Sequence, residues 1–227
     1  MNPDFSRIDT VVFDFDGTLA ETNIDFAKMR RRIIEHLQAW GLWEDGLDQG
    51  KYVLDIISIG RSKLGDAAEK VAEFQAQADN ILEEVELETC AAAAPFPGVV
   101  EALAALKENG YRVGIVTRNC RVGVASVTSR HHIPHDLLST RDDVTLVKPD
   151  PAHLSEALRL MGAAPERAVM IGDHITDIQG AEGTGAMAVG VLTQTTTREQ
   201  FEQVGADAVF DDVPSAVAAI LRAKAQQ

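Results

Sequence analysis

The chain has 227 residues, of which 21 are Lys or Arg and 35 are Asp or Glu, so its formal net charge is −14. Hydrophobic residues make up 45% of the sequence and charged residues 25%, an ordinary globular balance that excludes intrinsic disorder. The acidic charge also argues against a basic face that binds nucleic-acid phosphates. A chain of this length fits one large domain, or one domain with a modest insertion.

Nothing in the sequence indicates contact with a membrane. No apolar run approaches the length that crosses a bilayer, and no basic segment followed by an apolar one is present near the first residues, so we expect neither a membrane span nor a signal peptide. Cys90 and Cys120 are too few for a disulfide framework. A cytoplasmic location, with no membrane and no nucleic-acid partner, is therefore predicted.

Strand and helix patterns alternate along most of the chain. The β-branched and aromatic run over residues 9–15 predicts the first strand. The later predicted elements are a helix at 98–109, a strand at 111–117, a helix at 151–161, a strand at 168–171, a helix at 175–183, and strands at 186–192 and 207–210. Such alternation predicts an α/β fold with a Rossmann-like parallel sheet core.

Residues 20–94 interrupt this alternation and contain no convincing strand. Apolar residues recur there at helical spacing in two stripes: Phe26, Met29, Ile33, Leu37 and Trp40, and then Val71, Phe74, Ala78, Ile81 and Val85. We therefore predict a catalytic core built from residues 1–19 and 95–227, with residues 20–94 inserted after the first strand as a helical cap domain. The carboxyl edge of the sheet, where open α/β sheets place their ligands, is the expected position of the cap.

Four aspartates follow two of the predicted strands. Asp14 and Asp16 are two residues apart at the end of the first strand, so they face the same side of an extended chain. Asp173 and Asp177 are four residues apart around a helix start, so they share a face. Carboxylates gathered at one edge require a cation, and oxygen ligands favour Mg²⁺.

Polar residues at two further positions fit the binding of an anion. Thr117 ends a predicted strand and is followed by Arg118 and Asn119, where a hydroxyl and turn N–H groups can hold phosphate oxygens. The alternative is a strand-ending Thr with Asn119 as a helix cap. Lys148 precedes a helix N-terminus, a place that disfavours a cation unless an anion lies nearby.

These motifs, taken together, resemble the haloacid dehalogenase-like hydrolase superfamily. The four that match, in the right order, are DFDGTL at residues 14–19, Thr117, Lys148-Pro149, and GDHITD at residues 172–177. The insertion is similar to that family's cap of the first type, and the segment 189–213 is similar to the end of phosphoglycolate phosphatases. Gln194 stands in that segment where a Gly is common in the group.

The resemblance implies a Mg²⁺-dependent phosphatase of a small phosphorylated metabolite. It assigns Asp14 as the nucleophile that forms an aspartyl-phosphate and Asp16 as the acid and base. The metal would be held by Asp14, the Asp16 backbone carbonyl and Asp173, with Asp177 supporting its waters. Thr117 and Lys148 would hold the phosphoryl group, with Arg118 and Asn119 as second contributors. We therefore expect a monomer or homodimer that acts on a small-molecule phosphate ester.

Other functions remain open at this point. A phosphosugar mutase shares Asp14 and Asp16, whereas a dehalogenase lacks the second acid. A non-catalytic binding protein that kept the fold is disfavoured because all four motifs are intact. Inorganic phosphate release separates the phosphatase from the mutase.

Several further residues are candidates with weaker support. Arg61, in the glycine-bounded segment 59–65 between the two helical stripes, is expected in a loop or helix junction, where it could grip an acid group of the substrate. His131, His132 and His135 fit a surface turn better than a metal cluster. His174 fits both a pocket and a solvent-facing position. Cys120 and the two tryptophans, Trp40 and Trp43, are interpreted as packing residues.

Overall fold

The structure of the chain is a computed structural model that describes residues 3–225. Its strands are β1 (Thr10–Phe13), β2 (Ala20–Glu21), β3 (Ala94–Pro95), β4 (Arg112–Val116), β5 (Leu137–Ser139), β6 (Ala168–Gly172), β7 (Met187–Val191) and β8 (Ala208–Phe210). Its helices are α1 (Phe26–Ala39), α2 (Val53–Lys63), α3 (Ala68–Cys90), α4 (Val99–Glu108), α5 (Arg121–Arg130), α6 (Pro151–Met161), α7 (Ile175–Glu182), α8 (Arg198–Gln203) and α9 (Val213–Ala225).

The described residues form a six-stranded sheet in the order β5-β4-β1-β6-β7-β8, and every neighbouring pair is parallel. All four residues of β1 are buried, as expected for a central strand with helices on both faces of the sheet. Phe13 pairs with Ile115 of β4 and with Ile171 of β6, so the segments that follow these three strands emerge at the same edge. The predicted Rossmann-like sheet is confirmed.

Local signals set the ends of helix α6. The helix runs from Pro151 to Met161, as its sequence predicts. The Asp150 side chain accepts a hydrogen bond from the Ala152 amide at 2.9 Å and so caps the first turn. Gly162 follows with a φ of 61°, the left-handed conformation that ends many helices. None of the helices within residues 3–225 is long and apolar enough to cross a membrane.

Residues 24–91 form a compact unit of their own, and residues up to Asn23 form another together with those from Ala92 onward. In the helical unit, α1, α2 and α3 bury a shared apolar core that includes Ile33, Ile56 and Phe74. Trp40 packs edge-on against Phe74, with 5.5 Å between ring centroids. Both predicted stripes lie on helices, but Phe26 begins α1 with 59% of its surface exposed and is no core residue.

One prediction for this segment is wrong in part. Short strands do occur at its two ends, because β2 pairs antiparallel with β3 through Ala20 and Pro95. Of the loop and the helix junction expected for residues 59–65, the structure has the junction: residues 59–63 end α2, the chain leaves the helix at Leu64, and Gly65 follows with a φ of 59°. At Gly60, within the helix, a Cβ would lie 2.8 Å from Cζ of Phe74, so this glycine permits close packing.

Candidate active site

The loop after β1 carries the first two candidate acids. The backbone turns tightly, because the Leu19 amide donates to the Phe15 carbonyl at 2.9 Å and the Gly17 amide to the Ala20 carbonyl at 2.9 Å. Gly17 makes this turn with a φ of 79°, which an L side chain rarely adopts. Asp14 and Asp16 are both partly buried beside the turn. The sequence DFDGTL therefore presents two carboxylates at the edge where β1, β4 and β6 end.

Lys148 is a buried cation between two of the acids. Its side chain is 2% exposed, and Nζ lies 2.8 Å from Oδ1 of Asp14 and 2.6 Å from Oδ1 of Asp177. Burial by itself would lower the pKa of Lys148, but the charges of Asp14 and Asp177 outweigh it and raise that pKa. Lys148 is therefore charged, and the anions that the sequence predicted near it include these two carboxylates.

Asp14, Asp173 and Asp177 form a cluster that could hold a metal ion. One carboxylate oxygen of each lies within 4.8 Å of the other two. Burial, followed by the charges of Asp14 and Asp177, raises the pKa of Asp173 to about 8. Burial also raises the pKa of Asp14, although Lys148 opposes this shift. A cation in the cluster would offset the repulsion, and an all-oxygen donor set fits a hard ion. The carboxylate of Asp16 lies outside this cluster.

The carboxylate of Asp16 is bound by side chains from the loop after β4. Thr117 Oγ1 donates to Oδ2 at 3.0 Å, and Asn119 Nδ2 donates to Oδ1 at 2.8 Å. Both donors are at least 98% buried. Burial and the neighbouring Asp14 raise the pKa of Asp16, even though these hydrogen bonds lower it. Thr117 and Asn119, which the sequence predicted to contact phosphate, thus contact the candidate acid in this structure.

Arg118 and His174 lie close enough to each other for the charge of Arg118 to act on the imidazole. Arg118 follows Thr117 and is partly buried, and His174 follows Asp173 and is also partly buried. The His174 Nδ1 atom accepts a hydrogen bond from the Thr176 amide at 3.3 Å, which caps α7. Burial, together with the charge of Arg118, lowers the pKa of His174. His174 is thus a structural cap near the acids rather than a fully solvent-facing side chain.

The remaining candidates lie elsewhere. Arg61 is exposed near the end of α2 in the helical unit. His131, His132 and His135 form no metal-binding group, since the Asp14 cluster is the one such group in residues 3–225. Cys120 is buried and is not part of a disulfide, consistent with packing.

Sequence reasoning missed contacts that only the fold creates. Thr18 Oγ1 donates to Oδ1 of Asp173 at 2.6 Å and accepts from the Asp173 amide at 3.0 Å, which fixes that acid against the β1 loop. These residues are 155 positions apart. Gln194 also lies at the site: a Cβ built at Gly17 would be 2.8 Å from its Cγ. The hydroxyl of Thr18 within the motif DFDGTL is the one signal that the sequence offers for this contact.

Comparison with known proteins decides the family. A family model described as haloacid dehalogenase-like hydrolase matches residues 11–191. The chain belongs to this family. A relative named pyrophosphatase PpaX, from Bacillus cereus (strain AH820), is 33% identical over 211 residues, which cover 90% of this chain and 93% of the relative. This haloacid dehalogenase-like hydrolase is therefore a phosphatase.

Two solved structures share the fold of this family member. A protein from Bacteroides fragilis, assigned to the haloacid dehalogenase-like hydrolases, has a TM-score of 0.69 at 26% identity and covers 92% of this chain and 99% of its own. A predicted phosphoglycolate phosphatase from Haemophilus somnus has a TM-score of 0.64 at 21% identity, covering 94% and 98%. The second likeness concerns the fold alone.

Proposed function

We propose that the chain is a Mg²⁺-dependent phosphatase that hydrolyses a small phosphorylated metabolite through an aspartyl-phosphate on Asp14. The observation that best supports this function is the ion pair of Asp14 with Lys148, with 2.8 Å between Oδ1 and Nζ. Asp14 also belongs to an acidic cluster at the carboxyl edge of the sheet. The buried cation favours the ionised form of Asp14, which a nucleophile requires, and the cluster supplies ligands for a hard cation.

The donor set fits Mg²⁺. Asp14 and Asp173, with the backbone carbonyl of Asp16, are the residues that would hold the ion. Asp177 has both carboxylate oxygens engaged, since Oδ1 accepts from Lys148 and Oδ2 accepts from the His174 amide at 3.1 Å. We therefore assign Asp177 to the support of metal-bound waters. A bound Mg²⁺ supplies positive charge to the phosphoryl oxygens and so lowers the barrier to transfer.

The chain's own residues account for both halves of the proposed reaction. A carboxylate oxygen of Asp14 attacks the phosphorus, the P–O bond to the leaving group breaks, and Asp16 gives its proton to the departing oxygen. Asp16 then takes a proton from a water molecule whose oxygen attacks the phosphorus, so that inorganic phosphate leaves and Asp14 is restored. Thr117 and Asn119 orient Asp16 for these transfers, because each donates to one of its oxygens.

The phosphoryl group of the substrate would bind beside Lys148, with Thr117, Arg118 and Asn119 as further contacts. We propose a small, acid-bearing ester such as phosphoglycolate as the substrate, with residues 20–94 acting as a cap that meets its far end. Residues 1–19 and 95–227 form the catalytic core in this proposal. Pyrophosphate is the second candidate, because the curated relative at 33% identity is named a pyrophosphatase.

A phosphate-release screen tests this function. The protein is incubated with Mg²⁺ and a panel containing phosphoglycolate, pyrophosphate, sugar phosphates and p-nitrophenyl phosphate, and inorganic phosphate is measured. Asp14→Asn is the matched control, because it removes the nucleophilic oxygen and keeps the side-chain shape. We expect release by the wild type and none by Asp14→Asn. Isomerised sugar phosphate with little free phosphate would instead indicate a mutase, and no turnover of any ester would refute the proposal.

A further inference from the structure

The loop that follows β7, residues 192–197, is fastened to the acidic site. The Thr193 hydroxyl donates a hydrogen bond to the carbonyl oxygen of Gly17. On one side the Leu192 amide donates to the Phe210 carbonyl at 3.0 Å. On the other side Thr197 caps the first turn of α8. Both ends of the loop are therefore fixed, and its middle lies on the turn that carries the catalytic aspartates.

Gln194 occupies the space that Gly17 leaves open. A Cβ built at Gly17 would lie 2.8 Å from Cγ of Gln194 and 2.7 Å from Oδ2 of Asp173. The stem of Gln194 and the carboxylate of Asp173 thus both lie close to the backbone of Gly17. The carboxamide is one bond beyond Cγ, on a side chain that is exposed. Gln194 consequently carries a neutral polar group at the rim of the site, beside a candidate metal ligand.

Four side-chain donors of the site, those of Lys148, Asn119, Thr117 and Thr18, are engaged with its carboxylates. Lys148 donates to Asp177 and lies within ion-pair distance of Asp14. Asn119 and Thr117 donate to Asp16, and Thr18 donates to Asp173. A phosphoryl group brings several acceptor oxygens and no donor, so it requires further donors.

The Gln194 carboxamide offers two N–H donors, and among residues 3–225 no hydrogen-bond partner of this group is present. We propose that Gln194 is a substrate-binding residue whose Nε2 donates a hydrogen bond to a non-bridging phosphoryl oxygen. The inference rests on the proposed function and adds a residue to it. A neutral amide suits this position because a carboxylate would repel both Asp173 and the phosphoryl oxygens.

Steady-state kinetics give the first test. Gln194→Ala removes the donor, so KM should rise roughly 10–150-fold, the range for one hydrogen bond to a charged group, with kcat nearly unchanged. The rise should be the same for phosphoglycolate and p-nitrophenyl phosphate, because both carry the phosphoryl group. Gln194→Glu should raise KM further. Thr195→Ala, at the exposed neighbouring position, is the control for disturbance of the loop. A Gln194→Ala enzyme that behaves like Thr195→Ala overturns the inference.

Inorganic phosphate gives a test that requires no turnover. The side-chain amide signal of Gln194 is assigned by NMR from its loss in Gln194→Glu, and phosphate is then titrated into the wild-type protein with Mg²⁺. We expect this signal to shift with the same midpoint as the backbone amides that follow Asp14. If the backbone amides shift while the Gln194 signal stays, the inference alone fails. If no signal shifts, the phosphate site of the proposed function fails as well.

Discussion

The Lys148 Nζ atom lies 2.8 Å from Oδ1 of Asp14, and both side chains are largely removed from water. The same ammonium contacts Asp177 at 2.6 Å, so one buried cation balances two carboxylates. Breaking a buried ion pair by removing one partner leaves an uncompensated charge, which costs about 3–5 kcal/mol. Lys148 is therefore expected to matter for both folding and catalysis.

The first prediction separates these two contributions. Lys148→Met should lower the free energy of unfolding by about 3–5 kcal/mol. It should also reduce kcat by roughly 10²–10³-fold, the usual loss when one charge-stabilising donor is removed. Urea unfolding and phosphate release measure the two effects. Lys107→Met is the control, because Lys107 pairs with Asp136 at the surface. An active and stable Lys148→Met protein would contradict the assigned role.

Substitutions of Asp14 and Asp16, the two aspartates of the loop after β1, should stop the reaction at different steps. Asp14→Asn lacks the nucleophilic oxygen, so no phosphoenzyme should form. Asp16→Asn lacks the general acid and base, so its rate of phosphate release should fall by ~10²–10⁴-fold. A substrate whose leaving group needs little protonation should still phosphorylate Asp14 in this variant. Acid-quenched mass spectrometry after a brief incubation detects the adduct. A phosphate adduct on the Asp14→Asn protein would falsify the assignment of the nucleophile.

Metal dependence follows from the acidic cluster of Asp14, Asp173 and Asp177. Phosphate release should stop in EDTA and return with Mg²⁺. Ca²⁺ should restore it poorly, because its larger and looser coordination disturbs the in-line arrangement of the reacting oxygens. Asp173→Asn should raise the Mg²⁺ concentration needed for half-maximal activity. Full turnover in excess chelator would show that the carboxylates serve another purpose.

We expect the buried His153 to lower the free energy of unfolding in mild acid. Burial, together with the nearby charge of Lys148, lowers its pKa from 6.5 to about 4. The unfolded chain binds this proton more readily than the folded chain, so protonation favours unfolding. The contribution of the neutral His153 to the free energy of unfolding is therefore complete above pH 6.5 and is lost as the pH falls towards 4. A shift of this size corresponds to about 3 kcal/mol.

Urea unfolding at pH 7.5 and pH 4.5 measures the His153 effect. The wild type should lose more free energy of unfolding between these pH values than His153→Asn does, because the variant has no imidazole to protonate. Other titrating groups contribute equally to both proteins and cancel in the comparison. His132→Asn, at an exposed position, should keep the wild-type difference. Equal losses in wild type and His153→Asn would show that this imidazole is not the cause.

The sequence predicts those features that local chemistry determines. The sequence predicts both ends of helix α6, because Asp150 caps its first turn and Gly162 ends its last. Asp14 and Asp173 could be placed together because parallel strands deliver their ends to one edge. The sequence predicts a loop or helix junction around Gly60, and the junction between α2 and α3 follows there, but the close approach of Gly60 to Phe74 depends on how the helices pack.

Contacts between residues that are far apart in the sequence cannot be predicted from local signals. The hydrogen bond from Asn119 to Asp16 joins residues 103 positions apart, and its existence depends on the register of β4 beside β1. The position of Gln194 depends on the missing side chain at Gly17 and on the anchoring of Thr193. No periodicity or short motif contains that information, since each partner looks like an ordinary polar residue in its own segment.

The last prediction concerns Arg61, which is exposed near the end of α2. We expect it to bind the acid group at the far end of the substrate in a forked, bidentate arrangement. Arg61→Ala should then raise KM for phosphoglycolate by roughly 10–150-fold, the value of one charge-assisted contact of about 1.5–3 kcal/mol. KM for p-nitrophenyl phosphate should barely change, because that ester lacks the second anion.

A matched control for Arg61 is Arg31→Ala, which removes another exposed arginine of the helical unit. It should leave both KM values unchanged, so that a selective effect of Arg61→Ala cannot arise from the loss of net positive charge alone. Arg61→Lys should recover only part of the selectivity, because an ammonium keeps the charge and loses the fork. Equal, modest effects of Arg61→Ala on both esters would place Arg61 outside the binding site and leave substrate selection to other residues of the segment 20–94.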